Sequence, residues 1–332
     1  MNRSVLVLAT TGVLGALSGN AHAQTSLTLY GIVDAGVVYE RGAAAGNVTK
    51  LTGGTQSGSR LGFKGIEDLG GGLSAKFALE AGFNEDTGTL GQGGRLFGRQ
   101  AWAGLGGRWG DLTFGRQHTP HFLLLDQVDP FGTGLAGAST NLMATVTRTD
   151  NTIKYSSPAW SGLSGELAYG LGEVPGDTTA NRQLGASIGY AGGPLVLKVA
   201  HQRVENAIGT DSTRNTLVGG RFDFGMAAAS LGVGLNRGTG AAESRDYMLG
   251  VTVPVGAGAL LASWIRKDDR SAFNADADQW AVGYTYALSR RTNLYTSFAR
   301  INNDPGAAYT VGNASEAGTG NRAFNFGIRH KF

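Results

Sequence analysis

No cysteine occurs among the 332 residues, so a disulfide framework is excluded, and a chain of this length can bury enough surface to fold without one. Beyond the first two dozen residues there is no run of 18 consecutive apolar side chains, which excludes a spanning helix. Charge is sparse: 16% of residues are charged and the formal net charge is +3, too little to imply a nucleic-acid partner. With 41% hydrophobic residues the chain is nevertheless not disordered. Glycine and proline, 55 and 7 residues, fall short of the ~25–30% of a low-complexity chain. The glycines are scattered through patterned segments, and no linker divides the chain.

What is present begins with "MNRSVLVLATTGVLGALSGNAHA". A basic start at Arg3, an apolar run from Val5 to Leu17 and an A-x-A close at Ala21–Ala23 read as a cleaved secretory signal peptide over residues 1–23. The run is too short for a transmembrane anchor, which needs ~20 residues. Residues 24–332 then form one exported domain.

Throughout that domain the hydrophobic period is two, not 3.6. "LSAKFALEAGF" sets Leu73, Ala75, Phe77, Leu79, Ala81 and Phe83 against Ser74, Lys76, Ala78 and Glu80. "DQWAVGYTYA" sets Trp280, Val282, Tyr284 and Tyr286 against Gln279, Ala281, Gly283 and Thr285. A helix cannot keep such faces apart, because residues two apart lie on opposite sides of it. Short breaks such as "DLGGG", "GGRWGD", "AGGP" and "PVGAG" alternate with longer polar stretches at 40–56, 85–95, 174–182, 205–214, 237–245, 270–277 and 303–321. This rhythm belongs to an up-and-down meander with two distinct ends, as in transmembrane β-barrels.

About sixteen candidate strands can be delimited between residues 25 and 332, an even number, as bacterial barrels require. Aromatic residues beside the short breaks (Trp109, Trp160, Tyr190, Phe222, Phe224 and Tyr286) suit a membrane-interface girdle. In lipid an unpaired sheet edge is prohibitive, so the last strand must pair with the first. "NRAFNFGIRHKF" closes on "SLTLYGIVDAGVVY", with Phe324, Phe326, Ile328 and Phe332 turned outward. The fold expected is all-β: a 16-stranded antiparallel transmembrane β-barrel with short periplasmic turns and long extracellular loops. A secreted β-sandwich binding protein or adhesin is the non-channel alternative. It would need a dry core where the second face is rich in Gly, Thr, Lys and Arg, which suits water instead.

The motifs "LTLYGIVDAGV", "SRLGFKGIEDLGGGL", "FGRQAWAGL", "GDLTFGRQ", "RTDNTIKYSSPAWSGL" and the terminal "GIRHKF" resemble those of the general porins of Gram-negative outer membranes, in particular the β-proteobacterial type. The resemblance covers the whole domain. It implies a homotrimer that passes small hydrophilic solutes and ions passively. It further implies contact with outer-membrane lipid and lipopolysaccharide, and a last residue, Phe332, read by the outer-membrane assembly machinery. No cofactor, metal or enzymatic activity is implied. A substrate-specific channel of the same fold is the alternative within the class. Such channels tend to carry an aromatic track, for which Tyr30 and Tyr295 are the candidates here.

Turning the apolar parity to lipid fixes an inward set that includes Arg60, Lys64, Lys76, Arg99, Arg148, Lys154 and Lys198, with Asp34, Glu80 and Glu166 as inward acids. An Arg or Lys on the lipid face at mid-membrane would cost about 2–4 kcal/mol. Arg99 is placed inside on the argument that Trp102, of opposite parity, better suits lipid. The poorly alternating segment 119–147 resembles the porin loop that folds inward and narrows the pore. By that resemblance Arg60, Arg99 and Arg148, with Lys64 and Lys154, form the basic wall of a constriction, and Asp126 and Asp129 its acidic loop. The sequence "PHFLLLDQVDPFG" departs from the acidic turn common in the family. The basic excess predicts anion preference.

Weaker signals have simpler readings. His118 or His121 with a serine would suit a barrel hydrolase, but no G-x-S-x-G occurs. "DDRSAFNADAD" lacks the spacing of a calcium loop, and "GLGGRWG" precedes a strand, so it is a turn. Arg116 shares the outward parity of Leu112 and Phe114 and is a candidate to meet Glu85 or Asp86 of a neighbouring subunit.

Overall fold

The protein is described by a computed structural model covering residues 26–332. The expected signal peptide lies outside the described residues. Eighteen strands in one sheet curl into a closed antiparallel barrel. They are β1 Ser26–Arg41, β2 Val48–Gly53, β3 Arg60–Gly70, β4 Leu73–Asn84, β5 Thr89–Leu90, β6 Gln100–Gly107, β7 Gly110–His118, β8 Arg148–Ser156 and β9 Leu163–Gly170. There follow β10 Gln183–Gly192, β11 Leu195–Glu205, β12 Ser212–Asp223, β13 Ala228–Arg237, β14 Glu243–Val255, β15 Gly258–Asp269, β16 Ala277–Ala287, β17 Thr292–Asn303 and β18 Arg322–Lys331. Both β2 and β3 pair with β1, one above the other, so they are two pieces of one stave. The stub β5 only folds back on β4. The wall therefore has sixteen staves, closed where β1 pairs with β18 from Ile32↔Lys331 to Arg41↔Arg322.

A glycine stands at the end of the closing seam. Phe332 exchanges backbone hydrogen bonds with Gly31, and its ring lies over Gly31, where a Cβ would come within 2.3 Å of Phe332 Cζ. The terminal aromatic is thus packed against the first strand, and Phe324, Phe326 and Ile328 are exposed on the outer face.

Alternation sorts the wall as anticipated. Leu197, Leu231, Leu249, Trp264, Trp280 and Leu294 are exposed outside, while Gln202, Asn215, Ser263, Gln279, Ser297 and Asn325 are buried inside. Two features depart from the sequence reading. First, the strands run further up than the polar stretches suggested. The stretch 40–56 contains β2, and the connections expected at 205–214 and 237–245 shrink to residues 206–211 and 238–242. Cross-strand pairing continues through these polar residues, to Glu205↔Ser212 and Arg237↔Glu243. Second, the register of β6 is opposite to that assumed. Trp102 pairs with Ala78 and so shares the inner face with Lys64 and Glu80, whereas Ala101 pairs with Leu79 on the outside.

Candidate functional site: a loop-narrowed pore

The segment between β7 and β8 folds into the barrel. Its helix, Pro120–Val128, begins with Thr119, whose side chain accepts from Phe122 N (3.0 Å), and Pro120 occupies the first turn, where a missing N–H costs nothing. Leu124, Leu125, Val128, Phe131 and Leu135 are buried in a cluster with Leu217, Met248, Ile265 and Ile301 of the inner wall. Two of the three leucines that set this loop apart from the family's acidic turn, Leu124 and Leu125, are therefore part of its seat. Parity hid the wall half of that seat, because Leu217, Met248, Ile265 and Ile301 are apolar residues on inward positions. Gly250 completes it: a Cβ there would stand 2.2 Å from Pro130 Cγ. Polar ties close the contact. Gln279 donates to Gly137 O (3.2 Å), Ser297 Oγ accepts from Ala136 N (3.0 Å) and Asp246 accepts from Ala144 N (3.1 Å).

Between the loop and the opposite wall lies a cavity of about 970 Å³, lined on the wall by Arg60, Arg99, Arg148 and His118, and on the loop by Phe122, Leu123 and Asp126. Each arginine is anchored through Nε: Arg60 to Gly58 O (2.9 Å), Arg99 to Glu80 Oε1 (2.8 Å) and Arg148 to Arg99 O (2.8 Å). Among the described residues the terminal nitrogens of Arg60 and Arg148 have no protein acceptor. Asp34 builds the bend that delivers Arg60. Its carboxylate accepts from Gln56 N (3.0 Å), Ser57 N (2.6 Å) and Tyr295 OH (2.6 Å). Arg99 lies inside despite the reversed register of β6, because it stands in the bend before that strand begins.

The other expected site residues are placed differently. Asp129 does not face the pore: it is 5% exposed, and its carboxylate accepts from Phe131 N (2.8 Å), Thr133 N (3.1 Å) and Ser139 N (2.8 Å). A short acid beside a turn is drawn to backbone donors, so it braces the loop. Lys64 and Lys154 face inward but stand away from this cavity. Lys64 lies 5.4 Å from the Tyr30 ring centroid and Lys154 3.5 Å from Glu166. Parity reasoning missed Arg329, Lys331 and Lys267, which also line the cavity. The first two lie on the unassigned face of the closing strand.

Six cationic side chains and one carboxylate, Asp126, line the cavity. Arg99 is offset by Glu80 and Lys267 by Asp246 (2.7 Å), and positive charge still remains in excess.

The minor signals resolve locally. His118 stacks on Phe122, with centroids 5.2 Å apart, and His121 Nδ1 lies 3.2 Å from Thr145 Oγ1. Asp276 and Asp278 hold Arg266 at 2.8 and 2.9 Å. Arg116 faces outward, but its ion pair is with Asp150 of its own chain, and no neighbouring subunit is needed to satisfy it.

The whole chain compares with proteins of one kind. The family model for Gram-negative porins matches residues 9–307. An outer membrane porin protein of Bordetella pertussis is 31% identical, and Outer membrane porin protein 32 of Delftia acidovorans 34% identical; each alignment covers 100% of both chains. The solved anion-selective porin from Comamonas acidovorans superposes with a TM-score of 0.79 at 30% identity, over 93% of this chain and 100% of its own. On its barrel, its inward loop and these relatives, the chain belongs to the Gram-negative porin family of outer-membrane channels.

Proposed function

We propose that this porin is a general, passively conducting channel that favours anions, with its narrowing set by Arg60, Arg99 and Arg148 opposite Asp126. The observation that carries the reading is the surplus of cations around the cavity between the loop and the opposite wall. Opposed charges across a narrow aqueous slit make a transverse field that orients water and polar solutes. A ring of mostly one sign raises the local concentration of the opposite ion. The Comamonas relative is an anion-selective porin, which supports the same preference here. The substrate-specific alternative gains little, because Tyr295 is buried on Asp34 and Tyr30 donates to Glu80 (2.9 Å), so neither ring is free to track a solute.

In the same reading the protein is a trimer, exported by the segment 1–23 and assembled through Phe332. OmpT, an outer membrane protein of Vibrio cholerae with the same fold, has been solved in a trimer form. The test is the reversal potential across a planar bilayer under a salt gradient. An anion-selective potential is expected, weakened when Arg60, Arg99 and Arg148 are changed together to glutamine. Cation selectivity in the unmodified protein would overturn the proposal.

A further inference from the structure

The helix that enters the barrel, Pro120–Val128, has two unlike faces. His121, Leu124, Leu125 and Val128 are buried, and the leucines and the valine belong to the seat. On the other face Phe122, Leu123 and Asp126 line the cavity, at spacings of i, i+1 and i+4 that keep them together on a helix. Two apolar side chains thus stand where opposed charges would need acids. Asp129 is turned onto its own backbone, and Thr133 Oγ1 lies 2.8 Å from Asp126 Oδ1, so one partly engaged carboxylate is left on this side.

Phe122 and Leu123 do not belong to the buried cluster that seats the loop, and each keeps part of its surface open. The attitude of the Phe122 ring is fixed. His118 stacks on it with centroids 5.2 Å apart and planes 19° from parallel, and its backbone N–H is bound by Thr119 at 3.0 Å. Apolar surface kept against water is unfavourable, and a solute that covers it gains free energy.

Across the cavity the wall is cationic. Arg60 and Arg148 are tied through Nε to Gly58 O and Arg99 O, which leaves their terminal nitrogens without a protein acceptor among the described residues. Arg329 and Lys331 extend the same lining. Ile32 stands between Arg60 and Lys331 in the sheet and lines the cavity with them. The cavity is therefore amphipathic across its width, with guanidinium groups on the wall and an aromatic and an aliphatic side chain on the loop. Its volume of about 970 Å³ has room for a ring-sized solute.

We propose that this slot favours amphipathic acid anions, in which one carboxylate or sulfonate is joined to an aromatic or branched apolar body. This rests on the pore reading above and names its solute class. The acid group takes the open fork of Arg60 or Arg148, a geometry suited to paired oxyanion contacts, while the body slides along Phe122 and Leu123. A hydrophilic anion uses only the wall, and an apolar cation only the loop, so neither gains from both. The residence is transient, since conduction requires that a solute leave as well as enter.

The test compares blockade of the chloride current of single channels by two sulfonates that share a head group, benzenesulfonate and isethionate. Benzyltrimethylammonium, which has the ring and the opposite charge, is the third probe. Benzenesulfonate is expected to block at concentrations at least about tenfold below isethionate, the gain of one aromatic contact, with benzyltrimethylammonium weaker than either. Phe122→Ser/Leu123→Ser should bring the two sulfonates together. Phe122→Leu, which keeps apolar surface without the ring, should fall between. Arg60→Gln/Arg148→Gln should weaken both sulfonates. Both loop side chains lie outside the buried seat, and folding is read from the shift in gel migration on boiling. Equal blockade by the two sulfonates, in a channel whose reversal potential is anion-selective, would overturn this inference and leave the pore reading standing. So would a phenyl advantage that survives in folded Phe122→Ser/Leu123→Ser protein. Blockade by benzyltrimethylammonium as strong as by benzenesulfonate would overturn it too, because the ring would then bind without the arginines.

Discussion

In the proposed pore, Glu80 offsets the charge of Arg99. It is 2% exposed, pairs with Arg99 at 2.8 Å and receives the Tyr30 hydroxyl. Breaking a buried pair by removing one partner costs about 3–5 kcal/mol in a dry interior, and less beside a water-filled lumen. Glu80→Gln should therefore lower the thermal stability of the barrel while raising its anion-to-cation permeability ratio, since Arg99 is then no longer offset. Arg99→Gln should destabilise too but move selectivity the other way. Salt-gradient potentials on both variants check the pair; equal shifts of the same sign would show that Arg99 does not address the pore. His121 makes a second prediction. Burial pushes its imidazole down to about 4 from 6.5, so the seated loop holds it neutral, and its Nε2 is buried without a partner. A released loop binds the proton near pH 6.5, a seated one only near 4, so the seat weakens as pH falls between those values, by about 3 kcal/mol in all. Current fluctuations should grow from pH 7 to pH 4.5, and His121→Leu should suppress the growth.

At the scale of elements, the closing strand depends on one small residue. Replacing Gly31 with valine would drive the Phe332 ring off its seat. Gly31→Val and Phe332→Ala should each slow the appearance of the heat-modifiable form during refolding, with Phe332→Tyr close to unmodified. Elements of this kind were legible in advance: period-two alternation placed sixteen staves and the β1–β18 closure because one lipid face and one wet face impose it. Two things were not legible. Strand tops such as Arg214 and Arg237 look like loop because their outward residues are charged, so the apolar alternation that marks the rest of each strand stops short of its end. The register of β6 was misjudged because Trp102 looked like a lipid residue, and only its pairing with Ala78 shows otherwise. Motifs singled out Arg60, Arg99 and Arg148, which line the cavity, whereas the turn of Asp129 toward its own backbone was not legible, because a loop carboxylate that braces its backbone has the same sequence signature as one that faces a cavity.

For the whole molecule, the inner wall has two unlike halves, with the cavity between the loop and one of them. The half containing β3, β6 and β8 presents the arginines. The half from β11 to β17 presents Leu217, Met248, Ile265 and Ile301, which hold the loop aside. Removing buried methylenes from such a seat costs about 2–5 kcal/mol for a Leu→Ala change. Leu125→Ala should thus leave the barrel folded but loosen the loop and roughen single-channel current. Crowding the seat gives a sharper outcome. Gly250 is the point at which Pro130 touches the wall, and a Cβ there would overlap Pro130 Cγ. Gly250→Val must push the loop toward the arginine half. Conductance should fall, and anion preference should weaken as Asp126 approaches Arg60. Deleting the loop between Phe122 and Leu142 should do the opposite to conductance while also diluting selectivity, because the charges would then face a wide lumen screened over about 10 Å at 0.1 M salt. Unchanged conductance in folded Gly250→Val protein would mean that the loop seat does not govern the width of the pore.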